Sequence, residues 1–150
     1  YKQQFDEALE RSPDVKRPRF LTMRHTAVYT DKEEGWKPYI EALRYSSGQF
    51  ENLFKELGEV KNGFPEALDV STLDNRAEYD PIMMKNNLIF GTPDEVISKL
   101  RPYEALGVDN FLYRASWGQD FELQKSSMRL FIDEVMPAFH GSKYLPQAAE

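Results

Sequence analysis

The 150-residue sequence contains no cysteine, which excludes disulfides, thiolate metal centres and a cysteine nucleophile together. Histidine is nearly as scarce. His25 and His140 are the two present, and their separation in sequence argues against a zinc site built from several imidazoles. No apolar run approaches the ~18 residues that a membrane span requires, so no membrane partner is expected. Positive charge is in deficit as well. Against 25 Asp and Glu stand 19 Lys and Arg, and the formal net charge of -6 gives no support to nucleic-acid binding. No block of like charge suggests a tail. No basic start followed by an apolar stretch suggests a signal peptide, and the lack of cysteine is compatible with the cytoplasm, the expected location.

What is present fits a soluble domain with a core. Hydrophobic residues make up 41% and charged residues 29%. The length suits one domain over residues 1–150. The chain opens on Tyr1 rather than Met, inside a helical pattern, and a processed, truncated or partly observed polypeptide is the expectation.

Tyr1, Phe5, Ala8 and Leu9 recur at helical spacing, and Ser12-Pro13-Asp14 stops that helix. Residues 20–30 are rich in β-branched and aromatic side chains and predict a strand. Leu21, Met23, His25, Ala27 and Tyr29 share one of its faces, and neither face is cleanly apolar. Thr30 or Asp31 can cap a helix carrying Trp36, Tyr39, Ile40 and Leu43, with Pro38 confined to its first turn or kinking it. A second helical stretch holds Phe50, Leu53, Phe54 and Leu57, with Gly58 at its end. Residues 58–86 read as an irregular insertion, of a length that is usually functional or mobile. After the short apolar run 87–91, Thr92-Pro93-Asp94-Glu95 predicts a capping box. The helix behind it should kink or break near Arg101, before Pro102, and end at Gly107. Residues 108–115 form the second clear strand, and a last helix carries Phe121, Leu123, Met128, Phe131, Ile132 and Val135. Strands alternating with helices imply an α/β fold with a parallel sheet. Two strands alone leave unpaired edges, so further strands are expected from another chain or from more of this one.

From Phe90 onward the sequence resembles luciferase-like flavin-dependent monooxygenases. The residues that carry this are Gly91-Thr92-Pro93-Asp94-Glu95-Val96, Leu100, then residues 105–111, then Leu130-Phe131-Ile132-Asp133-Glu134-Val135-Met136-Pro137. Residues 19–34 are similar more weakly. The resemblance implies strands seven and eight, with their helices, of a TIM (β/α)₈ barrel. A full barrel takes roughly 250 residues, so the barrel in this chain would be incomplete. It also implies a monooxygenase using reduced FMN, or a deazaflavin in its place, to oxidise a small organic substrate with oxygen. The reduced flavin would come from a reductase or from NAD(P)H, and a homo-oligomer is expected. A piece of this size is not expected to act alone. The alternative is a non-catalytic interaction module, an accessory subunit that completes a barrel with another chain.

Sites in such barrels lie at the C-terminal ends of strands. That rule selects Tyr29 and Thr30 after the first strand, and Arg114, Ser116 and Trp117 after the second. Arg114, Ser116 and Trp117 are the candidate flavin contacts. Against them stand a structural ion pair for Arg114 and an ordinary core anchor for Trp117. His25 is the candidate catalytic residue, a proton donor or base, with a hydrogen-bonded packing role as its competitor. Tyr29, and Tyr79 in the insertion, are the candidate substrate contacts. Gly91-Thr92-Pro93 can hold phosphate at a helix start, although capping already explains Thr92 and Glu95. No Gly-x-Gly-x-x-Gly or Walker pattern occurs. No metal site is expected.

Overall fold

The computed structural model describes residues 1–55 and 59–139. Its elements are α1 (Lys2–Glu10), β1 (Leu21–Val28), α2 (Lys37–Lys55), β2 (Val60–Lys61), β3 (Phe64–Pro65), α3 (Pro81–Asn87), β4 (Ile89–Gly91), α4 (Pro93–Ala105), β5 (Asn110–Arg114) and α5 (Phe121–Leu130). A π-helical turn, Phe131–Val135, follows α5. The class is α/β with a parallel sheet, as the alternation of elements predicts.

The sheet is built on β1. Its first half pairs with β5, Leu21 opposite Asn110 through His25 opposite Arg114. Its second half pairs with β4, Thr26 opposite Ile89 through Val28 opposite Gly91. The order is therefore β4-β1-β5. Residues 89–91 form a third strand, which corrects the two-strand expectation; the run is too short to show a period. β1 thus lies at the centre of the sheet, between β4 and β5. Backbone amides of a strand alternate in direction. The Tyr29 amide turns to Gly91 O, and the Val28 amide turns to the β5 side, where β5 has already ended. Ser127 Oγ of α5 accepts that amide at 2.7 Å, so the strand donor stays satisfied in the core.

Both sheet faces are covered near the C-terminal ends of the strands. On one face Ala27, Tyr29 and Phe90 pack with Tyr39, Ile40 and Leu43 of α2 and with Trp117. On the other, Val28 and Ile89 pack with Val96 and Leu100 of α4 and with Val135. The Thr92-to-Glu95 cap forms as predicted, with the Glu95 carboxylate accepting the Thr92 amide at 3.0 Å. Gly107 leaves α4 at φ +74, a conformation that suits glycine.

Several helix expectations are revised. Asp31 caps the turn before α2, accepting from the Glu33 and Glu34 amides, and the helix itself starts at Lys37 with Pro38 in its first turn. The two stretches expected after Trp36 are one continuous helix through Gly48. A Cβ at Gly48 would sit 2.7 Å from Leu73 Cδ1, so glycine here admits a neighbour rather than ending a turn. Phe50, Leu53 and Phe54 are exposed, not core. Pro102 lies inside α4, which continues to Ala105. Gly58, His140 and the chain's end lie outside the described residues.

The 58–86 insertion is more regular than predicted. Beyond β2, β3 and α3 it contains two 3₁₀ turns, Val70–Leu73 and Ala77–Tyr79. Side chains of α2 bind it at successive levels. Gln49 brackets Leu68 through both its amide and its carbonyl, and Asn52 donates to Glu66 O. Glu51 accepts from Arg76 and from the Tyr79 hydroxyl. Leu68, Leu73 and Tyr79 form a small core of their own.

Candidate functional site

The face of the sheet opposite α4 brings together four of the sequence-selected residues. His25 and Arg114 are direct cross-strand neighbours, and Trp117 and Tyr29 flank them toward the C-terminal ends of the strands. The strand period explains this. Positions 25, 27 and 29 of β1 point one way, and Arg114 shares the face of its register partner.

Trp117 is a fixed wall. It is 6% exposed, stacks on Phe90 with ring centroids 5.5 Å apart, and donates its indole N–H to Tyr39 O at 3.0 Å. Gly118 at φ +103 turns the chain behind it, and Gln119 accepts the Trp117 amide. His25 meets the Trp117 ring edge-on, centroids 5.3 Å apart and planes at 89°. Burial, and then the neighbouring Arg114 guanidinium, hold the His25 imidazole below its ordinary value. His25 is therefore a neutral donor or acceptor near pH 7. Arg114 is exposed, and among the described residues it makes no ion pair or side-chain hydrogen bond. Below this pair the same face shows Met23 and Leu112.

Tyr29 is 5% exposed. Its ring stacks on Tyr39 and lies against Gly35, where a Cβ would come within 2.9 Å of it. Burial, then the Glu95 carboxylate, push its phenol far above the usual range, so it stays protonated. Among the described residues its hydroxyl has no hydrogen-bond partner. Thr30 and Ser116 are exposed, and among the described residues they contribute no side-chain hydrogen bond. Tyr79 is apart from the group: it belongs to the insertion core, its hydroxyl is taken by Glu51, and Arg76 lies over its ring.

Sequence reasoning missed three polar anchors. Lys99 Nζ donates to the carbonyls of Lys85, Leu88 and Phe90 at 2.9–3.0 Å, closing the end of α3 onto β4. A lysine inside the Val96–Leu100 stripe was the available signal. Ser127 joins Val28 to Tyr113, whose hydroxyl lies 2.6 Å from its Oγ. Glu51 gathers Lys55, Arg76 and Tyr79, and these hydrogen bonds, that to Arg76 first, hold its carboxyl at about 2. Apart from Lys55, one helical turn after Glu51, the last two partner sets could not be read from spacing, because those partners meet only in three dimensions. Among the described residues no group of three or more His, Cys, Asp or Glu could hold a metal ion. No helix among them is long and apolar enough to cross a membrane.

The donor set fits a flavin. An unpaired cation, a neutral imidazole and a buried phenol share one face, beside apolar surface, and a flavin ring offers an aromatic plane with carbonyl and ring-nitrogen acceptors along one edge.

Over 139 residues the chain is 34% identical to the oxygenase component of the flavin-dependent trigonelline monooxygenase of Acinetobacter baylyi. The match takes in 93% of this chain but 38% of that protein, so the chain spans well under half the length of its relative. No family model matches, and no solved structure matches. The similarity establishes a relationship to a flavin-dependent monooxygenase oxygenase component.

Proposed function

We propose that this chain is part of the oxygenase component of a flavin-dependent monooxygenase that uses reduced FMN and oxygen to oxidise a small organic substrate. The observation that carries this reading is the similarity, along nearly the whole chain, to an oxygenase component. That name also implies a separate reductase that delivers the reduced flavin. A deazaflavin is the alternative cofactor. The flavin, when bound, supplies the oxygen chemistry, and the protein supplies orientation, charge and exclusion of water.

The residues divide the remaining work. Arg114 contacts the flavin, with Ser116 on the loop that follows β5. His25, neutral and held by Trp117, handles a proton beside it. Trp117 acts through His25 and Phe90 rather than as a free wall for the ring. Tyr29 offers its unpartnered hydroxyl to an acceptor on the substrate. Tyr79 instead fixes the insertion against α2, which shapes one side of the substrate pocket.

The luciferase-like barrel is the architecture we infer for the whole protein. Supporting it are two open sheet edges and a half-bare sheet face, with α4 and α5 on the side that would be the barrel's exterior. The expected assembly is a homo-oligomer in the cytoplasm.

The test uses the full-length protein with FMN, a flavin reductase and NADH. Trigonelline and related small heteroaromatics serve as substrates. Flavin-dependent, oxygen-consuming turnover is the expected result. Full-length protein that binds no flavin in either redox state, and consumes no oxygen with any of these, would overturn the proposal.

A further inference from the structure

We propose that the second half of α2 pairs with the same stretch of a second copy of the chain, antiparallel about a two-fold axis at Phe50. The surface lies outside the candidate site and does not depend on the flavin reading. It gives an interface to the homo-oligomer expected above.

The two halves of α2 differ. The first seats Tyr39, Ile40 and Leu43 in the core over the sheet. In the second, Phe50, Leu53 and Phe54 are 62%, 59% and 72% exposed. Their spacing of three and four residues puts them on one face of the helix, the pattern of a helix that docks by an apolar ridge. The Phe50 and Phe54 rings lie against each other, centroids 5.0 Å apart. The helix cannot roll to hide this ridge, because another face is fastened to the insertion. Gly48 packs against Leu73, Gln49 holds Leu68, Asn52 holds Glu66, and Glu51 holds Arg76 and Tyr79. An apolar ridge held outward on a pinned helix marks a contact surface.

The composition of the stripe selects a second copy as its occupant. One turn before Phe50, on the same face, stand Ser46 and Ser47. Large side chains at one end of a stripe and small ones at the other match when two copies run antiparallel, whereas a parallel pair sets large against large. Phe54 then faces Ser46 of the partner subunit, Leu53 faces Ser47 of the partner subunit, and the two Phe50 rings meet at the axis. The stripe carries no charged side chain, so two chains of net charge -6 meet there without opposing carboxylates. Ser46 already donates its hydroxyl to Leu43 O, so burying it strands no donor. Val60 and Phe64 extend the apolar surface. Both are exposed on the β2–β3 hairpin, and Asn52 ties the residue that follows it, Glu66, to the same end of α2. Five such side chains offer about 600 Å² per copy, and the resulting ~1,200 Å² for the pair is the lower bound of a specific interface. Pairing here braces the helix from which the insertion hangs.

The experiment uses the full-length protein and its Phe50→Asp, Phe50→Cys and Ser71→Cys variants. Sedimentation velocity over a wide dilution series gives the mass of the wild type and of Phe50→Asp. The wild type should associate, and Phe50→Asp should halve the order of the assembly, raising its dissociation constant at least about thirtyfold, the effect of one central anchor. A short bismaleimide is applied to the two cysteine variants. Phe50→Cys, at the axis, should cross-link into a covalent dimer. Ser71→Cys, exposed on the insertion, should not. Cross-linking of Phe50→Cys supports the proposal even where Phe50→Asp fails to fold. A wild type that stays monomeric at every concentration overturns it. So does a Phe50→Asp protein of unchanged mass, or a Phe50→Cys protein that cross-links no better than Ser71→Cys. A Phe50→Asp protein that unfolds while Phe50→Cys neither cross-links nor takes up a monomaleimide also overturns it, and gives the ridge to the rest of the same polypeptide. None of these outcomes bears on flavin binding, which the oxygen-consumption test reads separately.

Discussion

One face of β1 has two unlike halves. Toward the C-terminal end Ala27 and Tyr29 are 0% and 5% exposed, under α2, Phe90 and Trp117. Toward the start, on the same face, Leu21 and Met23 are 52% and 56% exposed, and Leu112 beside them 46%. Side chains of similar apolar character thus meet opposite fates within a single strand. The difference shows that pattern selects which residues can be buried, while neighbours decide which are. His25 and Arg114 lie on the boundary between the halves, where one side is rigid and the other open. A ligand site needs both: fixed walls to hold geometry and an open side for access.

The packed half should fail most severely when its wall is removed. Trp117→Ala deletes a ring that stacks on Phe90, meets His25 edge-on and ties back to Tyr39. A loss of about 3–5 kcal/mol is expected, read by urea denaturation. The same variant should let the His25 pKa return upward toward 6.5, because burial is the main cause of its depression. An NMR titration of His25 checks this, and an unmoved value would show that Trp117 does not set the imidazole's environment.

Next in size is Lys99→Met. The substitution keeps much of the packing but strips three carbonyls of their common donor. About 1–3 kcal/mol of destabilisation is expected. Hydrogen exchange should rise first in residues 85–91, where α3 hands over to β4. If exchange rises uniformly instead, Lys99 is not a local lock.

A milder effect is expected at Glu51, where α2 holds the insertion through Arg76 and Tyr79. Its carboxyl lies at about 2, below the ordinary 4.5, so the folded state holds the ionised form more tightly than the unfolded state does. The resulting stability is present above pH 4.5 and is lost as pH falls toward 2. Residues 69–81 should therefore loosen over that window while the sheet stays protected. Hydrogen exchange at stepped pH measures it, and Glu51→Gln should weaken the pH dependence, leaving the part carried by Asp69 and Glu78, whose carboxyls are also held low by their hydrogen bonds.

These contrasts also mark how far the sequence could be read. The strand at 21–28, the cap at Thr92–Glu95 and the turn at Gly107 were legible because each is specified by residues close together in the chain. So was the shared face of His25 and Tyr29, which follows from a period of two. The third strand was not, since three residues carry no period. The exposure of Phe50 and Phe54 was not either, since a helical stripe states a preference and cannot say whether anything packs on it. In the candidate site, the strand-end rule found Arg114 and Trp117. It could not reveal that Trp117 would be walled in by Phe90 and turned toward His25. Nor could it reveal the engagement of Tyr79 by Glu51, which lies on α2 and becomes a neighbour only on folding.

The smallest expected effect bears most directly on the two halves. Met23→Ser and Leu112→Ser alter side chains that are half exposed on the bare part of the face. In the 150-residue chain alone each should change stability by no more than about 0.5 kcal/mol, the usual range for surface sites. In the full-length protein, if further strands close over this face, the same side chains become core. The cost should then rise to about 2–4 kcal/mol, from lost apolar burial and from placing a hydroxyl without a partner. The comparison is internal, since one substitution is measured in two lengths of the same protein. Equal small effects in both would mean that the face stays open in the whole molecule, and the barrel reading would lose its structural support. A large effect confined to the longer chain would mean that the bare half of β1 is a core awaiting its other wall.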